Sequence, residues 1–168
     1  MKLLYAFLFI AVVLTACNNE QANNKPANKI NGSFLNGSWT YRSLLNDTAW
    51  QTDFDSLEFA AAIMDLKKMG NDSVSGLLYW SQNPYQGLKI TGKYYYNDTV
   101  TCYSLVGVGD SSLGTAGWQY NYQGYVVPHW SLGVNQADVL VGSTVRAKPH
   151  SGEPAGIVAT TYMVRRSK

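Results

Sequence analysis

Cysteine is nearly absent from this 168-residue chain, occurring only at positions 17 and 102. Cys17 ends an apolar leader, so Cys102 is the one thiol of the folded part and no intramolecular disulfide can brace it. Charge is also scarce and nearly balanced, with 13 basic and 11 acidic residues. That leaves no basic face for nucleic acid and no polybasic patch for lipid headgroups. The leader itself, Leu3 to Leu14, would make only about 18 Å of helix, too short to cross a bilayer. Metal ligation finds no pattern either. Asp53, Asp55 and Glu58 lack the glycine and spacing of a calcium loop, and His129 and His150 are too far apart in sequence to form a zinc-binding pair. Gly107 and Gly109 precede no helix and cannot form a dinucleotide loop. No cofactor and no metal are expected.

What is present begins with an address. Lys2 followed by the apolar run reads as a signal peptide. Its end, Leu14-Thr15-Ala16-Cys17, resembles the bacterial lipobox. That resemblance implies removal of residues 1–16 and acylation of Cys17, giving a protein anchored to a membrane rather than spanning it. Asn18 stands where some bacteria place an inner-membrane retention aspartate, which points to the outer membrane. Residues 17–32 then form a tether. The stretch from 18 to 30, NNEQANNKPANKI, has too little apolar surface to offset the entropy of ordering. As a coil it would span roughly 20 Å.

Residues 33–168 are expected to form one domain with one core. Twelve tyrosines and fifteen glycines, with many Val and Thr, favour strands joined by turns. The pattern predicts strands near 37–45, 57–69, 73–80, 87–95, 99–108, 116–127, 138–146 and 156–166. The second is ambiguous, because LEFAAAIMDLKKM also suits a helix capped at Asp55 or Ser56, but the tight-turn signal Gly70-Asn71-Asp72 leading into the alternating VSGLLYW favours a strand. Strands in up-and-down order with no long excursion predict an all-β, eight-stranded antiparallel barrel, closed so that no edge is exposed. Connections after strands two and four read as tight turns; those at 46–56, 81–86, 109–115 and 147–155 read as longer loops that gather at one end, the mouth.

Gly37-Ser38-Trp39 at the start and Arg165-Arg166 at the end resemble the calycin arrangement of lipocalins and avidins. There a Gly-x-Trp opens the first strand and a basic side chain from near the chain end packs over the ring, which implies a closing role for Trp39, Arg165 and Arg166. Biotin binding does not carry over: the ligand-contacting positions two and six after that Trp are Tyr41 and Leu45 here. The segment VGSTVRAKPHSGEPAGIVAT, residues 141–160, is similar to uncharacterised small-barrel proteins of bacteria that share a basic-x-x-Pro-His-Ser loop followed by Pro-Ala-Gly. Four triplets beginning at Asp47, Asp55, Asp72 and Asp98 resemble an Asp-Ser/Thr-apolar glycosylation site of exported bacterial proteins, and equally suit turns before strands.

The densest aromatic stretch is GWQYNYQGYVVPHW, residues 117–130. Two-residue alternation puts Trp118, Tyr120 and Tyr122 on the inner face of strand six, with Trp118 at the rim. His129 falls beyond the strand and reads as a plug with no catalytic neighbour. Each buried phenol needs a partner for its hydroxyl, for which Tyr41, Ser43, Ser143 and Thr144 are candidates. Two readings stay open: a barrel filled by its own side chains, or a ligand pocket with Trp80, Trp118, Tyr120 and Tyr122 as wall. In the second, Arg146 and His150 would meet an anionic group; a solvated rim arginine is the alternative.

Three function classes follow. One is a lipid-anchored barrel binding a small, partly aromatic or apolar ligand, which calls for a cavity above about 300 Å³. Another is a filled structural or interaction module of the envelope, associating, as an oligomer for instance, through its outer sheet face. The third is a small-barrel enzyme of the cyclase or dirigent kind, which requires a charged group with a perturbed pKa inside the cup.

Overall fold

The structure is a computed structural model that describes residues 32–49, 51–97, 99–130 and 134–167. The leader, Cys17 and the tether up to residue 31 lie outside the described residues. Eight strands follow one another: β1 (Gly37–Leu45), β2 (Glu58–Lys68), β3 (Ser73–Trp80), β4 (Asn83–Asn97), β5 (Val100–Gly109), β6 (Gln119–Val126), β7 (Val139–Arg146) and β8 (Val158–Arg165). Each pairs antiparallel with the next, and β8 returns to β1, so the sheet closes as an up-and-down barrel.

Alternation explains why these segments are strands. Along β2 the buried residues are Ala62, Met64 and Leu66, every second position, as a half-buried strand requires. Helical propensity in that segment loses to pairing on both sides, with β1 and β3. One prediction needs correction. β4 starts at Asn83 rather than 87, and only Ser81-Gln82 turns the chain after β3, so no long loop stands there. A register shift between Tyr79 and Trp80 pairs Trp80 with Asn83, and Pro84 is tolerated beside this irregularity, where a ladder hydrogen bond can be missed.

The two ends differ. Loops 46–57, 110–118 and 147–157 and the Ser81-Gln82 turn meet at the mouth. The closed end carries the tight turns after β2 and β4, together with a long connection after β6, residues 127–138. Toward this end the interior is packed with Trp39, Met64, Leu66, Val74, Leu105, Leu140 and Met163, all 5% exposed or less. Burying each such side chain stabilises by about 1.5–3 kcal/mol. Tyr103 lies across two glycines: a Cβ on Gly124 would come within 2.4 Å of its hydroxyl, and one on Gly142 within 2.7 Å. Only residues without side chains let that phenol cross the interior.

Candidate functional site

Above the packed half, toward the mouth, the barrel holds a cavity of about 220 Å³. Trp80, Trp118, Tyr120, Tyr122, Arg146 and His150 all line it. Phe59, Leu78 and Leu88 complete the apolar wall. The volume falls short of the 300 Å³ set as the mark of a ligand cup, which restricts any guest to a small one.

Trp80 and Trp118 meet edge to face, their ring centroids 5.8 Å apart. Trp118 lies just before β6, where its carbonyl accepts from Gly109 N at 2.8 Å and so fixes the ring at the rim. His150 stacks on it with centroids 3.9 Å apart and planes 14° from parallel.

The segment that follows β7 builds the other side of the mouth. His150 and Glu153 form a bridge around Ser151 and Gly152, both with positive φ, 53° and 81°. A serine held in the left-handed region is unusual, and here it turns the chain so that His150 points back over the barrel. Gly156, at φ 90°, donates its N–H to the Arg146 carbonyl at 2.9 Å and returns the chain to β8.

A chain of hydrogen bonds joins three side chains of this cluster. Arg146 Nε can only donate, and it does so to the Tyr120 hydroxyl at 3.3 Å. The Tyr120 proton is then free for His150 Nε2, 2.7 Å away. Where His150 Nε2 accepts that proton, the ring's own proton is carried by Nδ1, which faces Ser151 Oγ at 3.3 Å. Burial and the neighbouring Arg146 charge lower the His150 pKa, which agrees with a neutral ring. Arg146 also donates to the Pro154 carbonyl at 3.3 Å and lies over the Phe59 ring, 5.5 Å from its centroid.

Deeper in, Tyr41 and Tyr122 meet edge to face at 6.1 Å. Burial pushes both phenols well above the ordinary tyrosine value; the hydroxyl of Thr144, itself 1% exposed, acts weakly the other way on each. Tyr120 does not use the internal partners expected of it; the mouth supplies His150 and Arg146 instead. Ser143 is exposed on the outer face and partners neither phenol.

At the closed end Trp39 is wholly buried and donates from Nε1 to the Leu35 carbonyl at 3.1 Å. The Arg165 guanidinium stands 4.3 Å above its ring centroid and 4.9 Å from that of Phe34. It donates to the carbonyls of Phe34 and Asn36 and pairs with Asp138 through Nε at 2.5 Å. Arg166 takes no part in this stack; it is exposed, and its backbone N–H donates to Ser38 O. His129 is no plug: its imidazole is 48% exposed, and its Nε2 meets Asp138 at 2.9 Å. Asp138, twelve residues into the connection after β6, was missed as its partner because the loop brings it back only in three dimensions.

Among the glycosylation-like triplets, Asp47 accepts from Ala49 N and Thr52 Oγ, and Ser73 donates to Asp72, both acting as turn residues. Asp98 lies outside the described residues. Among the described residues no group of three His, Cys, Asp or Glu side chains is arranged to hold a metal. Compared with known proteins, the chain matches no family model, no curated protein and no solved structure.

Proposed function

We propose that this is a lipid-anchored envelope protein, held in the outer membrane through Cys17, whose barrel binds a small, partly aromatic or apolar molecule in its mouth. The observation that carries the reading is the 220 Å³ cavity, walled by aromatic rings and bordered by one guanidinium and one imidazole. Apolar walls with few, placed polar groups are what small-molecule sites use. The calycin resemblance gains support from the Arg165 stack on Trp39. The chain enters the barrel at the closed end through Gly32–Leu35, so an acylated Cys17 would leave the mouth facing away from the lipid.

Native mass spectrometry of the purified protein tests this reading. A small molecule should co-purify with the wild type and be lost from Ala60→Phe, since Ala60 lines the cavity and a phenyl group there would fill it. A single bare mass for both proteins, unchanged by incubation with indole, would count against a binding cup and favour the filled module.

A second reading draws on the Tyr120–His150 contact. A phenol, an imidazole and an arginine in one chain of hydrogen bonds can move a proton, as a small-barrel isomerase or cyclase would need. Turnover of a bound ligand that stops in Tyr120→Phe would favour it over simple binding.

A further inference from the structure

Arg146 is only 7% exposed. Among the described residues its one ion-pair partner is Glu153, 3.8 Å from Nη1, and that carboxylate side chain is itself 60% exposed. The hydrogen bonds of the guanidinium go to uncharged oxygens, the Tyr120 hydroxyl and the Pro154 carbonyl. Buried charges are normally matched by close opposite charge, because taking an ion from water costs several kcal/mol. Here the cation borders a cavity instead, and the neutral His150 beside it supplies no anion.

Building on the binding-cup reading, we infer that the guest is a flat aromatic monocarboxylate, its carboxylate beside Arg146 and its ring among Trp118, Phe59 and Tyr122. One guanidinium matches one carboxylate in a bidentate pair, which sets the charge at one. An apolar cavity of about 150 Å³ already accepts benzene. The present one, at about 220 Å³, has room for that ring and a carboxylate. Ring edges and faces are offered from several directions, with Phe59 and Tyr120 at 6.1 Å as well as the two indoles. Such walls favour a planar guest over a branched aliphatic one.

The test is calorimetric titration at pH 7.5 with benzoate and with benzamide, which share a shape and differ in charge. Benzoate should bind at least about tenfold more tightly to the wild type, the discrimination expected of one charge-assisted pair. Arg146→Met should bind the two equally. Arg146→Lys, which keeps the charge but not the two-pronged donor, should weaken benzoate while still favouring it over benzamide, so the inference stays testable even if Arg146→Met fails to fold. Equal affinity in the wild type would overturn the carboxylate assignment and leave the cup standing. Indole binding without benzoate binding would do the same. Absence of binding by benzoate, benzamide and indole alike would remove the cup itself.

Discussion

The Trp118 indole lies flat on the His150 imidazole, and that stack closes part of the mouth above Tyr120. It joins the rim of β6 to the turn after β7, and both rings line the cavity. One of its two rings, His150, is titratable.

Acidification should therefore loosen the mouth. The titratable groups around His150 are Tyr120 and Arg146, with Glu153 across the turn. Because the folded-state pKa of His150 is lowered, the unfolded chain takes up this proton first. Stability from the neutral ring is complete above the ordinary value of about 6.5 and is lost as pH falls from there toward the folded value. Tryptophan fluorescence followed from pH 8 to 4.5 should show a transition below about 6.5 that His150→Gln abolishes. The same titration in both proteins would contradict this account.

Arg165 and Arg166 should differ sharply despite being neighbours. Arg165→Ala removes a cation stacked on two rings and three hydrogen-bonding contacts, and should cost about 2–3 kcal/mol. Arg166→Ala removes an exposed side chain and should stay within about 0.5 kcal/mol. Urea denaturation of the two variants measures the contrast; similar midpoints would show that the stack over Trp39 does not hold the closed end.

Tyr103 offers a separation of shape from polarity. Its hydroxyl is buried without a hydrogen-bond partner among the described residues, the Thr161 hydroxyl lying close without completing one, and burial pushes its pKa up to about 12. Tyr103→Phe should change stability by less than about 1 kcal/mol, because an unpaired polar atom is removed and the ring is kept. Gly142→Ala should be severe. Its Cβ would lie 2.0 Å from the Gln123 carbonyl oxygen and 2.7 Å from the Tyr103 hydroxyl. We expect a loss of more than about 3 kcal/mol, or no folded protein, by thermal unfolding.

Most of the barrel was legible because alternation of apolar and polar residues marks stretches such as β2 and β5, and turn signals separate the strands. Gly70-Asn71-Asp72 resolved the ambiguous second segment, since a hairpin turn there demands a strand on either side. The start of β4 was misplaced for a local reason: Asn83-Pro84 looks like a breaker, and only the shifted pairing with Trp80 accommodates it. The inner face of β6 could be read by alternation, which brought Trp118, Tyr120 and Tyr122 to one cavity. The hydrogen-bond chain could not. His150 reaches Tyr120 across 30 positions, through a turn whose left-handed serine has no strong sequence mark. The Arg146-Ala-Lys-Pro-His-Ser run did carry a signal, since the end of β7 and the loop after it supply both polar groups of the mouth.

A guest ring held inside the barrel is the central claim, and intermolecular nuclear Overhauser effects locate it most directly. With saturating benzoate, the ring protons should show contacts to Trp118, Tyr122 and Leu88, residues that share only the cavity. Contacts confined to outward-facing side chains such as Tyr85 and Tyr125, or no intermolecular contacts at saturation, would contradict it.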